Sequence, residues 1–141
     1  MQNPPVQTGP GGEVNAKTAL GLDANLGAAI GYPVGILAII IFVMEKENRF
    51  ARFHALQAIL YHVAAIVIFI GIGIVLAILM AVLAMISSAL ATIVGILLWL
   101  VFVVAGLVYF AGALFLAFKA YGGASMSLPV IGGMTDKILN K

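Results

Sequence analysis

The sequence predicts an all-α fold, an integral membrane helical bundle with three transmembrane helices, from its composition and the placement of its charges. Hydrophobic residues make up 64% of the 141 residues and charged residues 9%, and the mean hydropathy is +1.21. Soluble domains are about half apolar and about a quarter charged. Residues 53–118 contain no Asp, Glu, Lys or Arg. The bilayer must therefore be the solvent for most of the chain.

Residues 1–22 are polar and rich in glycine and proline, and we expect them to form a disordered polar N-tail. The rest of the chain, residues 23–141, is predicted to be a single transmembrane helical domain that ends in a short interfacial C-tail. Asp23 is a candidate N-cap for the first helix, because its carboxylate could accept a hydrogen bond from an unpaired backbone N–H.

The first predicted span covers residues 26–44, which at 1.5 Å per residue is close to the thickness of the hydrocarbon core. Gly27, Gly31 and Gly35 follow each other at steps of four residues. Such a stripe lets another backbone approach closely, either within the chain or in a self-dimer. Pro33 lacks an N–H and predicts a kink in this helix.

Residues 45–52 form a charged loop between the first span and the long uncharged region. Glu45 precedes Arg49 by four residues, a spacing that allows an ion pair on a helix. Asn48 could cap the start of the second helix.

The beginning of that second helix carries polar and aromatic residues on one predicted face. Phe50, His54, Gln57 and Tyr61 follow the i, i+4, i+7, i+11 spacing. This pattern is typical of an interfacial helix start, with basic groups among the headgroups and polar groups directed at neighbouring helices.

The uncharged region holds two long helices or three shorter ones. The best break is at residues 86–88, where two serines occur, and residues 71–73 are a second candidate that lacks polar side chains. Cations cluster in the first loop and after the last span. The positive-inside rule places both regions in the cytoplasm and the N-tail outside. Two spans between them meet this rule, which gives three in total; four spans is the alternative.

The last helix carries small residues, including Gly106 and Gly112, that are again consistent with close helix packing. The run Tyr121-Gly122-Gly123 supplies a glycine signal for the end of this helix. The segment 128–133 after it is apolar but interrupted by Pro129 and glycine. We expect it to lie at the interface beside the first loop.

No catalytic residue and no metal site is predicted, because the apolar region holds no carboxylate and the chain has no cysteine. His54 and His62 lie about two helical turns apart. Two histidines are too few for a zinc site, which needs three or four ligands. A lone imidazole could bind haem iron or a pigment magnesium, but a hydrogen-bonded histidine is the favoured interpretation. No cofactor is expected beyond a bound lipid or pigment. The net charge of +2 does not indicate nucleic-acid binding.

Three motifs together resemble a known family. They are the run Glu45-Lys46-Glu47-Asn48-Arg49-Phe50-Ala51-Arg52-Phe53-His54-Ala55-Leu56-Gln57, then Lys119-Ala120-Tyr121-Gly122-Gly123, then Leu128-Pro129-Val130-Ile131-Gly132. The chain is similar over residues 20–137 to small bacterial and archaeal membrane proteins of unknown function that are grouped with the chloroplast inner-envelope protein-import channel subunit. The resemblance implies three spans, and it implies protein import only by analogy of fold.

We expect a non-catalytic accessory or interaction subunit that packs in or beside a larger membrane complex of a prokaryotic cytoplasmic (inner) membrane. Its expected partners are membrane lipids and other integral membrane subunits. The alternative is a transport or protein-translocation channel component that acts as an oligomer. Lipid binding through a surface formed by Arg49, Arg52 and His54 is a further hypothesis. The candidate lipid or partner contacts are Glu45, Asn48, Arg49, Phe50, Arg52, Phe53, His54 and Gln57.

The Arg52→Glu substitution should disturb insertion or orientation, because it reverses a charge in the loop that sets the topology. The amount of protein in the membrane and the protease accessibility of the two tails measure this. Wild-type values for both would contradict the topology argument.

Overall fold

The computed structural model describes residues 8–9, 12–14 and 16–140, so much of the N-tail predicted to be disordered lies outside the described part. Two short strands, β1 (Thr8–Gly9) and β2 (Gly12–Glu13), pair antiparallel. The described helices are α1 (Ala24–Ile30), α2 (Gly35–Met44), α3 (Arg49–Ile86), α4 (Ser88–Tyr121) and α5 (Ile131–Leu139). This confirms the all-α prediction.

The chain divides into two compact units. The terminal unit comprises Met1–His62 and Gly112–Lys141, and the hairpin unit comprises Val63–Ala111. Two helices, α3 with 38 residues and α4 with 34, are long and apolar enough to cross a membrane.

The first predicted span is two short helices rather than one kinked helix. A Cβ atom built on Gly31 would lie 2.9 Å from Cβ of Ala38. In a continuous helix these residues would be about 10 Å apart along the axis, so the chain bends sharply between α1 and α2. Pro33 contributes because it cannot donate a helical hydrogen bond. The bend matters for topology, since α1 has 7 residues and α2 has 10, and neither alone would cross about 30 Å of hydrocarbon.

The hairpin unit turns at Ser87, as the sequence predicts. The Ser87 hydroxyl accepts a hydrogen bond from the backbone N–H of Leu90 at 3.3 Å, which caps the start of α4. A Cβ on Gly95 would lie 3.1 Å from Cε of Met80, whereas a continuous helix would separate them by about 22 Å. The two helical segments are therefore antiparallel. The alternative break at residues 71–73 is absent, because α3 continues through them.

The end of α4 follows the predicted glycine signal. Gly123 has a φ of +77°, the left-handed conformation that glycine adopts without a steric penalty. Its N–H donates to the carbonyl of Ala120 at 2.9 Å, and the N–H of Ala124 donates to that of Lys119 at 3.0 Å. This pair of bonds is a Schellman motif.

The core of the terminal unit consists mainly of small side chains around two aromatic ones, Tyr32 and Phe50. Small residues let helices approach closely, as in membrane bundles. The predicted packing glycines fit this core: a Cβ on Gly27 would lie 3.2 Å from Thr18, one on Gly35 would lie 2.7 Å from the His62 ring, and one on Gly112 would lie 2.8 Å from the Tyr61 hydroxyl.

Gly106 differs from the other predicted packing glycines. In the hairpin unit, no described atom lies within 4 Å of the position that its Cβ would occupy. The small-residue pattern on α4 predicts a close contact, but the distance between facing helices decides whether one forms.

The Gly31→Leu substitution should lower the free energy of unfolding by about 1–3 kcal/mol, because the new side chain would overlap Ala38. Thermal unfolding of the purified protein in detergent measures this. Gly106→Leu is the matched control and should change stability by less than about 0.5 kcal/mol, since its site is open. Equal stability of the two variants would contradict the packing argument.

Candidate functional site

A buried group of polar side chains lies where the break between α1 and α2 meets α3. The Tyr32 hydroxyl is 3.0 Å from Nδ1 of His54 and accepts a hydrogen bond from Nε2 of Gln57 at 2.8 Å. All three residues are at most 1% exposed. We call Tyr32, His54 and Gln57 the polar cluster. Since Gln57 donates to the hydroxyl, the hydroxyl proton is available to His54, and Nδ1 then accepts it.

Gln57 also binds the chain that follows α4. Its Nε2 donates to the carbonyl of Met126 at 3.0 Å, and its Oε1 accepts from the N–H of Leu128 at 3.2 Å. Backbone groups outside regular structure need such partners when they are buried. One side chain of α3 therefore holds both the helix break and the C-terminal segment.

His62, about two turns after His54 on α3, contacts the same break. Its Nε2 lies 3.3 Å from the carbonyl oxygen of Gly31. A carbonyl freed by a helix break costs free energy in an apolar setting unless it is paired. The contact explains the absence of a side chain at Gly35, where a Cβ would overlap the His62 ring.

Aromatic rings enclose His54. The ring centroids of Phe50, Phe53 and Tyr32 lie 4.7, 5.4 and 6.0 Å from that of His54, all edge-on. Nε2 of His54 is buried with no hydrogen-bond partner among the described residues, and the backbone of Ala124 is its nearby polar neighbour.

His54 and His62, which the sequence suggests as ligands of haem iron or of a pigment magnesium, thus both interact with the protein itself. Among the described residues, no group of three or more His, Cys, Asp or Glu is placed to hold a metal ion. The arrangement supports hydrogen bonding and packing, because the buried Tyr32 hydroxyl that contacts Nδ1 of His54 also accepts a hydrogen bond from Gln57.

The charged loop caps α3. Asn48 accepts a hydrogen bond from the N–H of Ala51 at 2.9 Å, which confirms it as the N-cap. Glu45 is 3% exposed and accepts from the N–H groups of Glu47 and Asn48 at 2.9 Å and of Ala19 at 2.7 Å. Burial alone would raise the pKa of the Glu45 carboxyl, but these backbone donors lower it below its usual 4.5.

Two predicted roles of carboxylates are wrong. Glu45 does not pair with Arg49, because α3 begins at Arg49 and Glu45 is not on a preceding helical turn. Asp23 occupies the N-cap position of α1 but makes no cap hydrogen bond. It forms an ion pair with Lys17 at 2.7 Å instead.

Arg49 and Arg52, in the first turn of α3, point away from the polar cluster. The Arg49 guanidinium donates to Oδ1 of Asn140. Nη1 of Arg52 is 3.5 Å from the carbonyl of Lys46, and its guanidinium carbon is 5.4 Å from the centre of the Phe42 ring. The prediction that Arg49, Arg52 and His54 form one surface is therefore wrong. His54 is two residues after Arg52, which places it about 200° around the helix, and its side chain is buried.

Sequence reasoning did not identify Tyr32 as part of a site. The available signal is its position beside Pro33: a buried tyrosine at a helix break needs a partner for its hydroxyl, and polar residues on an otherwise apolar helix are the natural partners. The contacts of Gln57 with the backbone of Met126 and Leu128 had no signal in sequence, because nothing local specifies them.

One comparison with known proteins is informative. The chain is 32% identical over 122 residues to the UPF0132 membrane protein of Methanocaldococcus jannaschii, which covers 86% of this chain and 93% of that relative. No protein-family model matches the chain, and no solved structure matches it.

The Gln57→Leu substitution should lower the free energy of unfolding by about 2–4 kcal/mol, because it leaves the Met126 carbonyl and the Leu128 N–H unpaired. Denaturant unfolding in detergent measures the loss, and faster tryptic cleavage at Lys137 reports release of the C-terminal segment. Asn25→Ala is the control: it removes an exposed hydrogen bond to the Tyr121 carbonyl and should cost less than about 1 kcal/mol. A Gln57→Leu variant as stable as the wild type would contradict the role of Gln57.

Proposed function

This chain belongs to the UPF0132 family of membrane proteins, and we propose that it acts as a non-catalytic interaction subunit that packs in or beside a larger membrane complex. The observation that carries the proposal is the surface of the hairpin unit. Both of its helical segments expose large apolar side chains along their length, among them Ile66, Ile78, Ile93 and Val108. In a membrane, such a surface contacts lipid tails or the helices of another protein.

The hairpin unit also has a cleft that suits a second helix. Six residues line a depression of about 390 Å³: Met80, Ala91, Thr92, Gly95, Ile96 and Trp99. Ala91 and Gly95 are one helical turn apart, and because their side chains are small, a partner backbone could approach the cleft closely. Trp99, which is 64% exposed, adds a large side chain of the type enriched in interfaces.

The polar cluster supports a non-catalytic role. Its hydroxyl, imidazole and amide groups hold the break, α3 and the C-terminal segment together. Glu45 in turn accepts backbone hydrogen bonds at the start of α3. Groups committed to the fold in this way are not available for proton transfer or nucleophilic attack.

We further propose that the protein lies in a prokaryotic cytoplasmic membrane with its first loop and C-tail in the cytoplasm. The structure does not support the predicted N-tail on the outside, because the backbone N–H of Ala19 donates to Glu45 of the first loop at 2.7 Å and neither α1 nor α2 is long enough to cross between them. The bond between Arg49 and Asn140 supports a shared side for the loop and the C-tail. An even number of crossings then separates them, and α3 and α4 supply two. The cations near both regions favour the cytoplasmic side.

A transport or protein-translocation channel component acting as an oligomer is the second candidate. The break between α1 and α2 favours it, because interrupted helices form the binding sites of many transporters. The resemblance to the chloroplast import channel subunit group points the same way, by analogy of fold. Ion or peptide flux in liposomes reconstituted with the purified protein tests this candidate, and liposomes that stay as tight as protein-free ones would exclude it for the protein alone.

The interaction-subunit proposal predicts that the protein, extracted in a mild detergent, migrates in an assembly larger than its own oligomer and with other membrane polypeptides. The Ile96→Trp substitution fills the cleft and should reduce that assembly about tenfold, the cost of one overpacked contact. Ile93→Trp is the matched control, since Ile93 is equally exposed but outside the cleft. A monomer or pure self-oligomer in the wild type, or equal effects of the two variants, would contradict the proposal.

A further inference from the structure

The first loop, the first turn of α3 and the end of α5 line an open basic pocket in the terminal unit. Its volume is about 220 Å³, and its lining residues are Lys46, Glu47, Arg49, Arg52, Leu139 and Asn140. Three cations thus face one carboxylate. Within the described part of the chain, the ion pair that forms is between Lys17 and Asp23, so the pocket cations are not neutralised by a carboxylate in contact.

The positions of Arg49 and Arg52 are unfavourable for the helix alone. Both lie in the first turn of α3, which carries no acidic residue. The positive end of the helix dipole repels cations there and attracts anions. A bound anion between the two guanidinium groups would remove this repulsion.

Arg52 is held in place but not fully paired. The Lys46 carbonyl and the Phe42 ring position its guanidinium group. Its Nε is buried and has no hydrogen-bond partner among the described residues. The forked donors of an arginine guanidinium group fit an acceptor with several oxygens, such as a phosphate group.

We propose that this basic pocket binds the phosphate of an anionic phospholipid headgroup. The surface beside it favours a lipid over a soluble anion. Val130, Met134 and Ile138 lie four residues apart on and next to α5, and all three are exposed. An apolar stripe on a short helix is typical of a helix that lies in the membrane interface. The phosphate would then sit in the pocket with the acyl chains alongside α5.

This inference does not depend on the interaction-subunit proposal, because it concerns the loop and α5 rather than the hairpin unit. It replaces the lipid surface expected from sequence: Lys46 and Asn140 belong to the pocket, and His54 does not.

The test titrates the purified full-length protein in a neutral detergent with phosphatidylglycerol or phosphatidylcholine and counts bound lipids by native mass spectrometry. The wild type should bind phosphatidylglycerol at least about tenfold more tightly than phosphatidylcholine. The double variant Arg49→Gln/Arg52→Gln should lose this preference. Because the protein is in micelles, any change of insertion direction in cells does not affect the measurement.

The matched control is Lys119→Gln/Lys137→Gln, which removes the same charge from residues outside the pocket and should keep the preference. Arg49→Lys/Arg52→Lys keeps the charge but loses the forked donors, and it should weaken binding by an intermediate factor even if the glutamine variant does not fold. A wild type without a preference, or equal losses in the glutamine variant and the control, would overturn the proposal. Competition by inorganic phosphate at the same affinity as the lipid would overturn the assignment to a headgroup.

Discussion

The terminal unit depends on the buried hydrogen bonds that the Gln57 side chain makes from the polar face of α3. The break between α1 and α2 and the irregular segment after α4 both contain backbone groups that no helix satisfies. In a water-poor environment each such group costs free energy unless it is paired. A single amide meets the Tyr32 hydroxyl and both backbone groups of the C-terminal segment. Removing the Gln57 amide would leave several groups unpaired at once. Its contribution to the free energy of unfolding is therefore larger than that of a single hydrogen bond.

The two units divide polar and apolar roles. In the terminal unit, polar side chains are buried among alanines and aromatics and bind the protein's own backbone. In the hairpin unit, the described surface is almost entirely apolar, and its few hydroxyl groups make local bonds such as that of Thr92 to the Ser88 carbonyl. This apolar surface is the basis for our proposal that the protein acts as an interaction subunit.

Helical periodicity directs the side chains of the charged run, residues 45–57, to different sides of α3. Residues that precede α3 cap it, His54 and Gln57 face the break, and Arg49 and Arg52 face the end of α5. Steps of about 100° per residue place neighbours in sequence on opposite sides. One short motif therefore starts a helix, stabilises a break and builds a basic pocket, with no residue required to do all three.

The sequence by itself determined the features that local chemistry decides: the membrane class, the turn at Ser87, the cap at Asn48 and the glycine end of α4. Each depends on residues within one or two helical turns. Only the tertiary structure decided that residues 26–44 bend back and that Glu45 accepts a hydrogen bond from Ala19 instead of pairing with Arg49. It also decided which glycines contact a neighbouring residue. These outcomes depend on partners far away in the chain. In a helix that is apolar on every side, periodicity does not reveal which face meets protein and which meets lipid.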